Sequence, residues 1–86
     1  MDRCVLHVLG LPTNANAEAL RYLFRHFGTV VSARIVKDPE GNSIGLGVVQ
    51  MASVHEVEEI LNTKDGLQMG GTRLVVWKRL ERSTPG

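Results

Sequence analysis

The sequence predicts an α+β fold in which two helices pack on one face of a four-stranded antiparallel sheet. Three observations predict it: two strand-helix-strand units follow one another, each helix has a single apolar stripe, and only a short turn separates the second strand from the third. The chain has 86 residues, which is enough for one hydrophobic core. We therefore expect one domain over residues 1–80 and a flexible C-terminal tail over residues 81–86.

The first strand-helix-strand unit covers the first half of the chain. Residues 4–9 form a short apolar run that ends before Pro12, which cannot donate a hydrogen bond to a sheet. Leucine and phenylalanine recur at helical spacing over residues 17–27, with Asn16 as the expected N-cap and Gly28 just past the end. Valine and isoleucine then predict a second strand over residues 30–37.

The second unit starts after a turn rich in Asp, Pro, Gly and Asn over residues 38–43. A third strand is predicted over residues 44–51, and Ser53 and Glu56 have the spacing of a capping box at the start of a second helix. That helix is expected to end near Leu61. Asp65-Gly66 and Gly70-Gly71 bracket a loop or small hairpin before a fourth strand over residues 73–79.

These elements fit the β-α-β-β-α-β plait of the ferredoxin-like type. Two right-handed crossovers and one tight antiparallel connection satisfy the connection rules that apply to short chains. Because each helix has only one apolar stripe, both helices should cover the same face of the sheet. The other face is then left bare, and any binding function is expected there.

Composition excludes several classes of function. The formal net charge of +1 is too small to attract nucleic acid by bulk charge, and no apolar run approaches the roughly 18 residues of a membrane span. The lone Cys4 cannot form an internal disulfide, so we expect a reducing intracellular compartment, nucleus or cytoplasm, with an organelle not excluded. The basic residues Lys78, Arg79 and Arg82 cluster near the end of the chain as candidate phosphate contacts.

At this point two segments resemble the signature motifs of the RNA-recognition-motif family. Residues 6–12, LHVLGLP, are similar to its first-strand hexamer with the following proline, and residues 44–51, IGLGVVQM, are similar to its third-strand octamer. Phe24, Phe27-Gly28 and Leu74 also stand at family positions. The resemblance covers residues 4–79 and implies binding of single-stranded RNA on the bare sheet face.

The signature positions where the family carries base-stacking aromatics are here His7, Leu46 and Val48. Ile44 replaces the usual basic residue that opens the octamer, and Met51 replaces its final aromatic. A histidine in such a first strand resembles the polypyrimidine-tract-binding branch of the family. That resemblance implies a preference for pyrimidine-rich RNA, bound across an aliphatic sheet.

Strand alternation predicts which side chains face the bare side once His7 is placed there. Val5 and Leu9 then share its face, as do Val36 on the second strand and Val75 on the fourth. Trp77 is expected to stack one base, and His7 and Gln50 to hydrogen-bond base edges. The candidate RNA-binding residues are His7, Leu9, Arg34, Ile44, Leu46, Val48, Gln50, Trp77, Lys78 and Arg79.

An apolar sheet face would also suit a protein partner or a second copy of the domain. Tryptophan serves both base stacking and protein interfaces, so Trp77 does not separate the two interpretations. His7 could simply fill space beneath such a cover. Homodimerisation or protein binding through the sheet face is therefore the alternative to RNA binding.

The sequence offers no basis for catalysis, so we expect no enzyme activity, cofactor, metal or small-molecule substrate. Cys4 and His7 are three residues apart in a strand and face opposite sides, while His26 and His55 fall on different helices. Phosphate hydrolases of this plait hold their substrate with an arginine in the turn after the first strand. That turn, residues 10–16, contains neither arginine nor lysine here.

Overall fold

The helices and strands follow one another in the predicted order. The computed structural model describes residues 4–63 and 67–78. Its elements are β1 (Val5–Leu9), α1 (Ala17–Phe24) continued by a 3-10 turn (Arg25–Phe27), β2 (Val30–Lys37), β3 (Ser43–Met51), α2 (Val54–Thr63), β4 (Gln68–Met69), β5 (Thr72–Arg73) and β6 (Val75–Lys78). Both helices pack on a four-stranded antiparallel sheet of order β2-β3-β1-β6, which confirms the predicted plait.

The predicted fourth strand is divided into two parts. Thr72 and Arg73 pair with Met69 and Gln68 in a separate hairpin, and the strand of the main sheet begins only at Val75. Between the two parts, the buried Leu74 donates its N–H to the carbonyl of Leu67 at 2.9 Å. Arg79, the tail over residues 81–86 and the Asp65-Gly66 pair lie outside the described residues.

The core lies between the sheet and the two helices. Alternate residues of β1 and β3 point into it, while α1 and α2 each contribute one stripe. Its fully buried side chains are Leu6, Val8, Leu20, Phe24, Val49, Met51, Val57, Ile60 and Val76. Neither α1 nor α2 is long and apolar enough to cross a bilayer, and the same holds for the rest of the described chain.

Helix α1 begins with the predicted cap. The Asn16 side-chain oxygen accepts a hydrogen bond from the N–H of Ala19 at 2.8 Å, which satisfies one of the free donors of the first turn. Asn16 itself has extended backbone angles, as an N-cap residue should. The position of this cap fixes where the loop after β1 enters the helix.

Asn16→Ala is expected to lower the free energy of unfolding by about 1 kcal/mol, because the Ala19 N–H loses its acceptor. Urea denaturation followed by circular dichroism would measure the change. Asn16→Asp is the matched control, since aspartate accepts the same hydrogen bond. An Ala variant as stable as the parent would show that this cap contributes nothing.

Helix α2 begins differently from the prediction. Ser53 Oγ accepts the Glu56 N–H at 3.3 Å, so one half of the capping box is present. The prediction of a return hydrogen bond to the Glu56 side chain is wrong, because Glu56 Oε1 is buried without a hydrogen-bond partner. The Glu56 side chain lies against Gly28 instead, where an added Cβ would overlap Glu56 Cδ. Packing against the end of the 3-10 turn has replaced the local hydrogen bond.

Candidate nucleic-acid interface

The sheet face away from the helices carries a row of four side chains that crosses all four strands. Arg34 on β2 is opposite Val48 on β3, Val48 is opposite His7 on β1, and His7 is opposite Trp77 on β6. Directly opposite residues in antiparallel strands share a face, so these side chains stand side by side. We call them the central row.

Two further rows flank the central row. On one side, Leu9 is opposite both Leu46 and Val75, which makes an aliphatic row. On the other side, Gln50 is opposite both Val5 and Ser32. We define the open face as these three rows: Arg34, Val48, His7, Trp77, Leu46, Leu9, Val75, Ser32, Gln50 and Val5.

The open face is apolar and accessible. Val75 is 56% exposed, Leu9 44% and Trp77 39%, whereas the alternate residues of the same strands are buried in the core. Leu46 and Val48 are half-buried and do not belong to the core cluster. The alternation that the sequence predicts therefore holds for β1, for β3 from Leu46 onward, and for β6.

Val5 differs from the other aliphatic residues of this face. Its alternation with His7 and its pairing with Gln50 place it on the open face, yet it is only 7% exposed. It is also absent from the core cluster beneath the helices. Val5 therefore offers little surface to a ligand, and its row presents Gln50 and Ser32 instead.

His7 and Trp77 form a pair of rings near one edge of the sheet. Their ring centroids are 5.5 Å apart and their planes meet at 51°. The contact exists because β1 and β6 bring the two residues directly opposite each other on the same face. In this chain the aromatic surface of the face thus lies over β1 and β6 rather than over β1 and β3.

The opposite end of the central row is cationic. The exposed Arg34 lines a small cavity of about 190 Å³ together with Lys37, Ile35 and residues 15–17 at the start of α1. The sequence interpretation did not include Lys37, because simple alternation from Ile35 assigns it to the inner face. The other lining residues, Ile35 and the start of α1, belong to the helix side of the sheet, so Lys37 reaches this cavity from that side. The one feature of the sequence that indicates Lys37 is its position as a basic residue directly before the turn that ends β2.

Other candidates from the sequence lie outside the three rows. Ile44 is exposed, but like Val36 it falls at the register shift between β2 and β3, and Gly45 interrupts β3 with a positive φ of 81°. Lys78 is opposite the buried Leu6, so it lies on the helix side of the sheet. The structure thus separates Lys78 from the other candidates, and Arg79 is outside the described residues.

A larger cavity of about 480 Å³ lies on the helix side, between α1 and the β4–β5 hairpin. Tyr22, Met69 and the carboxylate-bearing Glu18 are among its lining residues. A carboxylate repels RNA phosphates, so this cavity is not part of the candidate interface. Its exposed Tyr22 is useful as a control residue remote from the open face.

Known proteins show the same sequence pattern and the same fold. The profile of the RNA recognition motif family matches residues 6–75. The chain is 38% identical over 75 residues to polyadenylate-binding protein 4 of Arabidopsis thaliana, covering 87% of this chain and 11% of that protein. It is 41% identical over 69 residues to the chloroplastic 28 kDa ribonucleoprotein of Spinacia oleracea, covering 79% of this chain and 30% of that protein.

Solved structures agree with these sequence matches. The SXL-lethal protein/RNA complex superposes with a TM-score of 0.83 at 26% identity, covering 92% of this chain and 48% of that one. The chain spans less than a third of the length of the two curated relatives. A profile match over residues 6–75 covers most of the chain, and the plait is the one found in the solved relative. The chain belongs to the RNA recognition motif family.

Proposed function

We propose that this domain binds single-stranded RNA on the open face. The observation that carries the proposal is the face itself: an accessible apolar grid with a ring pair at one end, a cation at the other and no acidic residue in any of its three rows. Family membership and the solved protein/RNA complex of a relative support the same function.

The central row suggests how a short RNA segment lies on the sheet. A base stacks on Trp77, and neighbouring bases contact the aliphatic side chains. Arg34 neutralises a phosphate at the β2 edge of the face. Because the face has few charges, the affinity is expected to be micromolar or weaker and to involve few phosphates.

We further propose a preference for pyrimidine-rich RNA, as the resemblance to polypyrimidine-tract-binding domains implies. The signature positions that lack aromatics, Leu46 and Val48, offer base contacts by aliphatic side chains only. One relative bears the name polyadenylate-binding protein, so the informative comparison is between oligouridine and oligoadenosine. Equal or tighter binding of oligoadenosine would contradict the pyrimidine preference.

Intrinsic fluorescence provides a direct test of RNA binding, because Trp77 is the only tryptophan of the chain. Titration with a uridine octamer is expected to quench it, since a stacked base shares the indole surface. A duplex of the same length is the control, because its bases are paired and cannot splay onto the sheet. Unchanged fluorescence up to millimolar RNA would contradict the proposal.

Arg34→Gln is expected to reduce the slope of log affinity against log salt concentration by about 0.7, the contribution of one phosphate in a single strand. Arg25→Gln is the matched control, because Arg25 is exposed on the 3-10 turn, remote from the open face, with its guanidinium 5.7 Å from the centre of the Tyr22 ring. Fluorescence anisotropy of labelled RNA at several salt concentrations would measure both slopes. Equal slopes for the two variants would remove Arg34 from the interface.

Self-association through the same apolar face is the alternative that these titrations must separate. Light scattering distinguishes a 9.5 kDa monomer from a dimer of twice that mass. A dimer through the open face would also shield Trp77 from a soluble quencher. We expect a monomer with an accessible tryptophan in the absence of RNA.

The proposed role is binding rather than catalysis, with no cofactor, metal or small-molecule substrate. We propose that the domain extends to about residue 80, two residues beyond the end of β6. An intracellular reducing compartment remains our prediction. One relative is chloroplastic by name, so family membership selects no single compartment.

A further inference from the structure

The His7 imidazole occupies the middle of the open face. Val48 adjoins it on the β3 side and Trp77 on the β6 side, with 5.5 Å between the two ring centroids. An aliphatic or phenyl side chain here would provide contact area only. An imidazole also provides two ring nitrogens and a charge that changes in the physiological pH range.

The charges around His7 decide what its protonation would do. On β1 its outward neighbours are Val5 and Leu9, and on β3 they are Leu46, Val48 and Gln50, none of which is charged. On β6 the outward neighbours are Val75 and Trp77, and Lys78 follows on the other side of the sheet. On β2 the central row ends in Arg34, with Ser32 beside it.

Arg34 is thus the one charged residue of the open face, and it is a cation. Among the ten residues of the open face, none carries a carboxylate that could pair with an imidazolium. An RNA backbone supplies an anionic partner, because its phosphate oxygens accept charge-assisted hydrogen bonds from an imidazolium. The Trp77 ring at 5.5 Å also favours a cation at this position.

We propose that RNA binding on the open face is coupled to uptake of one proton by His7, so that affinity rises as the pH falls. The inference rests on the proposed function and adds a regulatory property to the same site. The direction follows from linkage: if the complex favours the protonated imidazole, binding is tightest at low pH and weakens as the pH rises.

A pH series of binding constants tests the proposal. Anisotropy with a labelled uridine octamer at constant ionic strength is suitable, because uracil does not ionise in the range used. Affinity is expected to be roughly three- to tenfold higher at about pH 5.5 than at about pH 8. His7→Gln and His7→Phe are expected to remove the pH dependence, while His7→Phe retains a ring for stacking.

The chain offers two matched controls. His26 and His55 are exposed on the helix side of the sheet, His26 in the 3-10 turn and His55 in α2. His26→Gln and His55→Gln are expected to keep the full pH dependence. Loss of the dependence in either control, with His7→Gln still responding to pH, would assign the proton to another site and overturn the inference.

A second measurement separates protonation from a general effect of pH on the fold. A protonated His7 neutralises one additional phosphate. The slope of log affinity against log salt concentration should therefore be steeper at low pH, by about 0.7. His7→Gln should show one slope at both pH values. Calorimetry in two buffers of different ionisation enthalpy, at about pH 6.5, should also give a proton uptake of roughly 0.3–0.5 in the parent, which is what a three- to tenfold change in affinity requires, and near zero in His7→Gln.

The inference and the proposed function fail in different ways. If RNA binds but His7→Gln retains the pH dependence of the parent, His7 does not carry the proton and the inference is wrong, while RNA binding stands. If no single-stranded RNA binds at either pH, the proposed function itself is wrong. Binding that is independent of pH in the parent would likewise reject the proton coupling alone.

Discussion

Trp77→Ala is expected to weaken the binding of a uridine octamer by roughly 1–3 kcal/mol, the contribution of one stacked base. Trp77 is the largest side chain of the open face and adjoins His7, so its removal also exposes one side of that imidazole. The loss should be similar for different bases, because stacking depends weakly on base identity. Anisotropy of labelled RNA measures it without needing the tryptophan signal.

Tyr22→Ala is the matched control for this variant. Tyr22 is an aromatic residue with 63% exposure, but it lies on α1, on the other side of the sheet. Its removal is expected to leave RNA affinity unchanged. If Trp77→Ala binds as tightly as the parent while its circular dichroism is unaltered, β6 is not part of the interface.

Gly47→Val is expected to lower the free energy of unfolding by roughly 3 kcal/mol, at the upper end of the range for overpacked cores. Gly47 is buried on the inner face of β3, opposite Val8 and beneath Leu20 of α1. A Cβ there would be 2.7 Å from Leu20 Cδ2 and 2.9 Å from Leu11 Cδ1. Both leucines are buried, so they have little room to move away.

A double-mutant cycle with Leu20→Ala provides the control, measured by urea denaturation. Shortening Leu20 opens space beneath position 47, so valine at Gly47 should cost less in that background than in the parent. The coupling reports the steric contact itself, free of the effect of β-propensity. Strictly additive effects, or a Gly47→Val protein as stable as the parent, would contradict the close approach of α1.

The sequence predicts the layer arrangement because the pattern of apolar residues depends on local geometry. Helical spacing identifies the buried Leu20 and Phe24 of α1, and alternation identifies Leu6 and Val8 as the inner residues of β1. Those two periods then place His7 and Trp77 on the outer face. This much of the interface follows from the spacing of residues along each strand.

The neighbours of each site residue do not follow from the sequence in the same way. His7 and Trp77 are 70 positions apart along the chain, and their contact depends on the register between β1 and β6. Register is decided by the packing of the whole sheet and its turns. Without the structure, the central row and the ring pair could not be distinguished from other pairings of the same faces.

Irregular backbone explains the remaining differences. The β2–β3 pairing shifts register between Ile35 and Lys37. The positive φ of Gly45 interrupts the simple alternation from Leu46 back to Ile44. Such bulges depend on contacts between strands, so a period of two residues cannot reveal them. They occur at one end of the sheet, beside the cationic part of the candidate interface.

The central claim is that RNA lies on the open face and not on the helices, and mapping of amide and indole chemical shifts during a uridine-octamer titration tests it most directly. We predict that signals of β1, β3 and the Trp77 indole N–H move in a concentration-dependent way, while those of the outer surfaces of α1 and α2 stay constant. Shifts confined to the helices, with the Trp77 indole signal unmoved, would contradict the account.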